Sequence, residues 1–194
     1  MSSEKRKYEM RARADRQRET RERIVEATME LHREVGPAAT TVAEIARRAG
    51  VQRLTVYNHF PDDSQLIGAC QGHWLELHPL PDFGAALAAK DPAARVRAVL
   101  AAHYAWYRET EAMTDHVQRD RAAVPALDAL LSATADAGAD GLAAALCAGT
   151  PLPQPLVRLA LDFWTWRRLT QEGLNDEAAA DVMTRAIAGA GELG

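Results

Sequence analysis

The sequence predicts an all-α chain of about nine helices. Three observations carry that prediction. Apolar residues recur at helical spacing over most of the 194 residues, and stretches alternating with period two are scarce. Aromatic residues make up only 6% of the chain, while Ala, a strong helix former, is abundant. Gly and Pro fall where helices would have to stop, at Gly36-Pro37, Pro79 to Gly84, Thr150 to Pro155 and Gly173. Hydrophobic residues are 47% of the total, enough to bury a core.

Residues 1–19 are dense in charge, with Lys5, Arg6, Lys7, Arg11, Arg13, Arg16 and Arg18 set among acidic residues. They have too few apolar residues to bury a face. They read as a basic flexible arm or as an extension of the first helix. A helix is expected from Thr20, with Ile24, Ala27, Thr28, Leu31 and Val35 on one stripe, ending at Gly36-Pro37. Thr41 is the N-cap of the next helix, with Glu44 as its capping-box partner, and Gly50 ends it. A third helix covers Gln52 to His59. Asp62 and Asp63 then open a fourth through Leu77, where acidic side chains suit the N-terminal dipole.

Pro92 opens a long helix to about Ala112, with Val96, Leu100, His103 and Tyr107 on one face. A short helical piece covers Asp115 to Arg121. Val124 to Cys147 is helical with a weak middle at Gly138 and Gly141. Leu156 to Glu172 is one helix, and Asn175 or Asp176 caps a last one to about Ala188.

The net charge of −4 is unevenly spread. Residues 1–60 carry thirteen Lys/Arg against nine Asp/Glu, whereas residues 61–194 carry ten against eighteen. A basic N-terminal third on an acidic remainder suggests that one end meets a polyanion. No apolar run reaches the length of a membrane span and the charged N-terminus lacks a signal-peptide core. The expected location is therefore cytoplasmic, with no membrane partner. Cys70 and Cys147 stand far apart without a Cys-x-x-Cys pattern, so free thiols are expected. His73 and His78 are five residues apart, which does not stack them as i, i+4 metal ligands. Neither a metal nor a cofactor is expected, and no catalytic constellation is found.

The informative stretch runs from Thr41 to Phe60. Two short helices are joined by a tight turn. Ala46 is small enough for a close crossing, and Gly50 tolerates a left-handed backbone. Val42, Ile45, Val51 and Val56 are spaced to form the core between the helices. This is the pattern of a helix-turn-helix, whose second helix enters the DNA major groove. Gln52, Arg53 and Asn58 then carry donors for base edges, and Thr55 suits a phosphate or a thymine methyl. Tyr57, His59, Arg47 and Arg48 suit phosphates, and Thr41 offers a hydroxyl and backbone N–H groups at a helix N-terminus.

The pattern Thr-Val-x-x-Ile-Ala-x-x-Ala-Gly-Val-x-x-x-Thr-Val-Tyr-x-His-Phe-Pro resembles the N-terminal domain of TetR-type regulators. The preceding Arg-x-x-Ile-x-x-Ala-x-x-x-Leu from Arg21 is similar to that family's first helix. The resemblance covers about residues 20–67 and implies an all-helical homodimer. A three-helix helix-turn-helix domain at residues 20–65 would bind a palindromic double-stranded operator. A helical domain at 66–194 would dimerise and hold a small-molecule effector that releases the DNA. It carries DNA contact over to Thr41, Gln52, Arg53, Leu54, Thr55, Tyr57, Asn58 and His59. The family often has a small polar residue where Gln52 stands, and commonly a Lys where this chain has Asp63. Asp63 repels a phosphate, a loss that the arginines of the N-terminal segment would offset.

In the C-terminal region, Leu156 to Glu172 is apolar nearly all round and calls for two packing partners. With the small-residue face of the last helix (Ala178, Val182, Ala186), it is expected to form a four-helix dimer interface. His103, Trp106 and Tyr107 on the long helix, with Met113 and His116 after it and Trp164 or Trp166 to close it, are the expected effector pocket. The competing reading is a helical small-molecule-binding or enzymatic module without DNA binding. It would show no sequence-preferring retention of DNA.

Overall fold

A computed structural model describes residues 3–191. They form eleven α-helical segments, with no strand among the described residues. The N-terminal unit comprises α1 (Ser3–Glu34), α2 (Val42–Ala49), α3 (Arg53–His59) and α4 (Asp63–Leu77). Gly36, at φ 93°, turns the chain out of α1 into the conformation only glycine adopts cheaply. Ile24, Val25, Ala27 and Leu31 of α1 pack with Ile45, Ala46, Val56, Phe60 and Leu66 into a closed core. Val42 and Val51 border it and Val35, expected on the α1 stripe, is 45% exposed.

The basic N-terminal segment is not a flexible arm in the described structure. From Ser3 it is helical and continuous with α1. No Gly or Pro interrupts residues 3–34, and charged side chains support one another along the helix. Arg18 lies 2.9 Å from Asp15 and 3.9 Å from Glu22.

The larger unit is built on α6 (Pro92–Asp120), which follows a single-turn α5 (Gly84–Leu87). Asp91 caps α6 by accepting from Ala94 N–H at 2.8 Å. Around it lie α7 (Pro125–Leu131), α8 (Ala137–Cys147), α9 (Gln154–Ala160), α10 (Phe163–Gln171) and α11 (Asp176–Gly191). The core joins Val96, Val99, Leu100, Tyr104 and Tyr107 of α6 to Phe163, Trp166, Met183 and Ile187.

Three expectations are corrected. The short piece at Asp115 to Arg121 is not separate, because α6 runs unbroken to Asp120. The weak point between α7 and α8 is a π turn at Ser132–Asp136, ahead of the two glycines. Within it the Thr134 hydroxyl donates to the Leu130 carbonyl at 2.7 Å. Finally, Leu156 to Glu172 is two helices, because the Asp162 carboxylate accepts from Trp164 N–H at 2.8 Å and restarts the chain as α10. The carbonyls left free at the end of α9 are taken up by two tyrosines of α6. Tyr104 donates to Ala160 at 2.8 Å and Tyr107 to Leu161 at 2.9 Å.

Candidate functional site

The helix-turn-helix is held by local chemistry that its sequence encodes. Thr41 Oγ1 accepts from Glu44 N–H at 3.2 Å and starts α2. The Glu44 carboxylate does not complete a capping box, since Arg47 Nε donates to it at 3.0 Å. Gly50 ends α2 at φ 65°, ψ 39°, and Val51 N–H returns to the Ala46 carbonyl at 2.9 Å. Arg23 of α1 donates to the Ala49 carbonyl at 3.1 Å, tying α1 to the turn. Ala46 and Val56, buried at the crossing, bring α2 and α3 together.

That packing leaves one face of α3 outward. Gln52, at its N-cap, makes no side-chain capping bond and is exposed, as are Arg53, Leu54, Tyr57 and Asn58. Leu54 is 66% and Tyr57 52% exposed. Thr55 and His59 are half-buried at the edge of the face, and Thr41 is exposed at the start of α2. Arg48 departs from its expected role. It reaches back to α1, 2.7 Å from Glu34 and 3.6 Å from Glu30, and is committed to holding α2. Its hydrogen bond lowers the Glu34 pKa. Asp62 caps α4 by accepting from Gln65 N–H at 2.9 Å, so this acidic residue beside α3 serves the fold.

A second feature lies between the two units. A cavity of about 480 Å³ is bordered by α1, α4, α6, α7 and α8 and opens to solvent. His103, Trp106 and Tyr107 line it as the sequence suggested, but His116 and Trp164 do not. His116 is thirteen residues beyond His103 on the same unbroken helix, so it points about 220° round α6. There it borders a shallow charged groove with Asp115 and Arg167. Trp164 is turned outward, 45% exposed, because the restart at Asp162 sends Phe163 and Trp166 inward in its place.

The lining residues missed in the sequence include His32, Ile67, Cys70 and Trp74 of α1 and α4, and Leu127, Leu131 and Leu142 of α7 and α8. A stripe shared by His32 and the α1 core residues was the available signal. Burial lowers the His32 pKa to about 4, opposed by the nearby Asp120 carboxylate. Burial also raises the Cys70 thiol to about 12, so it is an unreactive neutral group. The far end of α6 is pinned to the N-terminal unit. The Asp120 carboxylate accepts from Ala38 N–H at 3.0 Å and from Arg119 at 2.7 Å. Burial pushes the Asp120 carboxyl up, but Arg119 and the Ala38 N–H together hold it below its usual value. A Cβ on Gly36 would lie 2.3 Å from that carboxylate, so the contact requires glycine twice over.

A helix-turn-helix with an outward polar face, carried by a larger helical unit around a cavity, defines a class of regulator-like proteins. Residues 24–70 match the sequence model of bacterial regulatory proteins of the tetR family. Over these residues the chain is similar to the TetR family. It is 42% identical over 69 residues to the HTH-type transcriptional regulator SrpR of Pseudomonas putida, covering 34% of this chain and 32% of that one. It is 41% identical over 70 residues to TtgW, an uncharacterized HTH-type transcriptional regulator also of Pseudomonas putida, covering 34% and 52%. The matches thus span about a third to a half of these relatives. The fold is shared more widely. A transcriptional regulator from Rhodococcus sp. Rha1 superposes with a TM-score of 0.61 over 86% of this chain and 95% of that one, at 23% identity.

Proposed function

We propose that this protein is a DNA-binding transcriptional repressor. It acts as a homodimer on a palindromic operator and is released by a small-molecule effector in the α6 cavity. The observation that carries the reading is the exposed face of α3, where Gln52, Arg53, Leu54, Tyr57 and Asn58 stand outward while Val56 is buried behind them. In this reading Gln52, Arg53 and Asn58 read base edges, and Tyr57, Thr55, His59 and Thr41 contact phosphates. The cavity touches His32 of α1 and Cys70 of α4, so an occupant presses on the helices that carry the reading head. The partner face in the dimer includes Leu159 and Trp164, 52% and 45% exposed, with Val182 and Ala186 of α11.

An operator selected from a random DNA pool provides the test. Gln52→Ala with Tyr57→Ala is expected to weaken specific binding by roughly a hundredfold or more, because each substitution removes an interaction with DNA of about 1–3 kcal/mol. The thermal midpoint should be unchanged, since both side chains are exposed. Operator affinity equal to that of the parent would remove α3 from the groove.

The helical extension supplies a second expected result. Arg11, Arg13, Arg16 and Arg18 are exposed on it. Deleting residues 1–19 should lower affinity and flatten the dependence of log K on log salt, by about 0.9 for each phosphate no longer neutralised. Binding measured between 50 and 200 mM salt, about the range where such slopes are resolved, decides it. Unchanged affinity and slope would show that α3 and its neighbours suffice.

A further inference from the structure

The cavity carries no charge. Among the described residues that line it there is no Asp, Glu, Lys or Arg. Its two histidines are both held neutral at pH 7. Burial lowers His103 and His32 to about 4, with the Leu161 carbonyl opposing it at the first and Asp120 at the second. A carboxylate, phosphate or ammonium placed here would leave water without an opposite charge to pair with.

Much of the lining is aromatic. Trp74, Phe83, Trp106 and Tyr107 border the space, and Phe83, Trp106 and Tyr107 surround the His103 ring at centroid distances of 6.0, 6.1 and 4.4 Å. Ile67, Leu127 and Leu131 add aliphatic lining. Such walls favour a flat ring over a flexible chain.

One polar group stands out against them. His103 Nδ1 is buried and has no hydrogen-bond partner. An unpartnered buried nitrogen is unfavourable unless something completes it. A neutral imidazole has one N–H and one lone pair. A hydroxyl both donates and accepts, so it can pair with the ring in either tautomer.

We propose that the cavity binds an uncharged aromatic molecule bearing a hydroxyl group, stacked among Trp74, Phe83 and Trp106 and hydrogen-bonded to His103. The link from this ligand to DNA release rests on the effector reading above; the ligand chemistry itself does not.

Isothermal titration of the full-length protein at pH 7 tests it, with four probes that share one ring system: 2-naphthol, 2-methylnaphthalene, 2-naphthoate and 2-naphthyltrimethylammonium. The hydroxyl compound should bind tightest, about tenfold better than the methyl compound. The anion and the cation should each bind at least about a hundredfold more weakly than 2-naphthol. His103→Phe keeps the ring volume and removes the nitrogens. It should cost 2-naphthol about tenfold and leave 2-methylnaphthalene within about twofold. Ala139→Trp, which puts an indole into the cavity, should abolish binding of both. A matching melting temperature for each variant confirms that it folds. Binding of the anion or the cation as tight as that of 2-naphthol, failure of all four to bind, or an H103F variant with full 2-naphthol affinity would overturn the proposal. Adding 2-naphthol to the operator complex separates the two readings. Binding without DNA release sinks the effector role and leaves the ligand assignment standing.

Discussion

Replacing Trp166 by Ala is expected to lower the stability of the protein by about 3–5 kcal/mol. At about 2–4 °C per kcal/mol for a chain of this size, the melting midpoint should fall by roughly 6–20 °C. Trp166 is 0% exposed and sits where α6, α10 and α11 meet. Its ring lies 5.6 Å from that of Tyr107 and 5.5 Å from that of Phe163, and the Arg108 guanidinium stands 4.8 Å over its face. Its Nε1–H donates to the Asp176 carboxylate at 2.9 Å, at the start of α11. The alanine variant therefore loses a large buried surface and leaves that carboxylate short of a donor. Trp166→Phe should fall between the two, since it keeps most of the surface and loses the hydrogen bond. Calorimetry at one fixed protein concentration is needed, because self-association shifts the midpoint. A W166A midpoint within about 2 °C of the parent would show that the three helices are not joined there.

Acid should destabilise the protein well above the carboxylate range. His32 and His103 have folded pKa values near 4, against 6.5 for a free imidazole. Their lowered values mean that the unfolded chain takes up each proton first. Stability is thus fully present above about pH 6.5 and is lost as pH falls toward 4. At 1.36 kcal/mol per pH unit, each group accounts for a loss of about 3 kcal/mol across that window. Asp120 acts in a lower window, because its carboxyl is held below its usual value and its contribution is lost only as that carboxylate protonates. Urea unfolding at a series of pH values measures the slope. The H103F variant should halve it between pH 6.5 and about 4.5, since one of the two titrations is gone. A stability that is flat over that range would mean that both imidazoles are already open to water.

The first result concerns the larger unit, where the sequence was least legible, and the second joins both units through His103 of α6 and His32 of α1. In the smaller unit, residue order and local structure agree almost throughout. Thr41, Ala46, Gly50 and Asp62 act within a few residues of themselves, as N-cap, crossing point, left-handed turn and second N-cap. Local geometry suffices for such roles, so the order of residues is enough to assign them. Arg48 is the exception. Its partners, Glu30 and Glu34, lie on another helix, and no spacing rule within α2 announces them.

In the larger unit the errors share one cause. A helix of even apolar character has no register visible in its own sequence. Whether Trp164 or Trp166 faces inward depends on the restart at Asp162, and that restart is tolerable because Tyr104 and Tyr107 take up the carbonyls it frees. His116 left the expected pocket because α6 does not stop at Ala112, and continuing the helix carried the side chain round the back. The cavity drew in His32, Cys70 and Trp74 from α1 and α4, across a chain separation that periodicity cannot see.

The sequence by itself determined the all-helical class, the helix-turn-helix with its outward residues, and the basic segment ahead of it. Those properties rest on turn chemistry, capping and spacing over a few residues. Only the tertiary structure decided which tryptophan lies in the core and which side chains surround the cavity. Those depend on long-range packing. There, burial and the satisfaction of freed backbone carbonyls select one register among several that the local sequence allows equally.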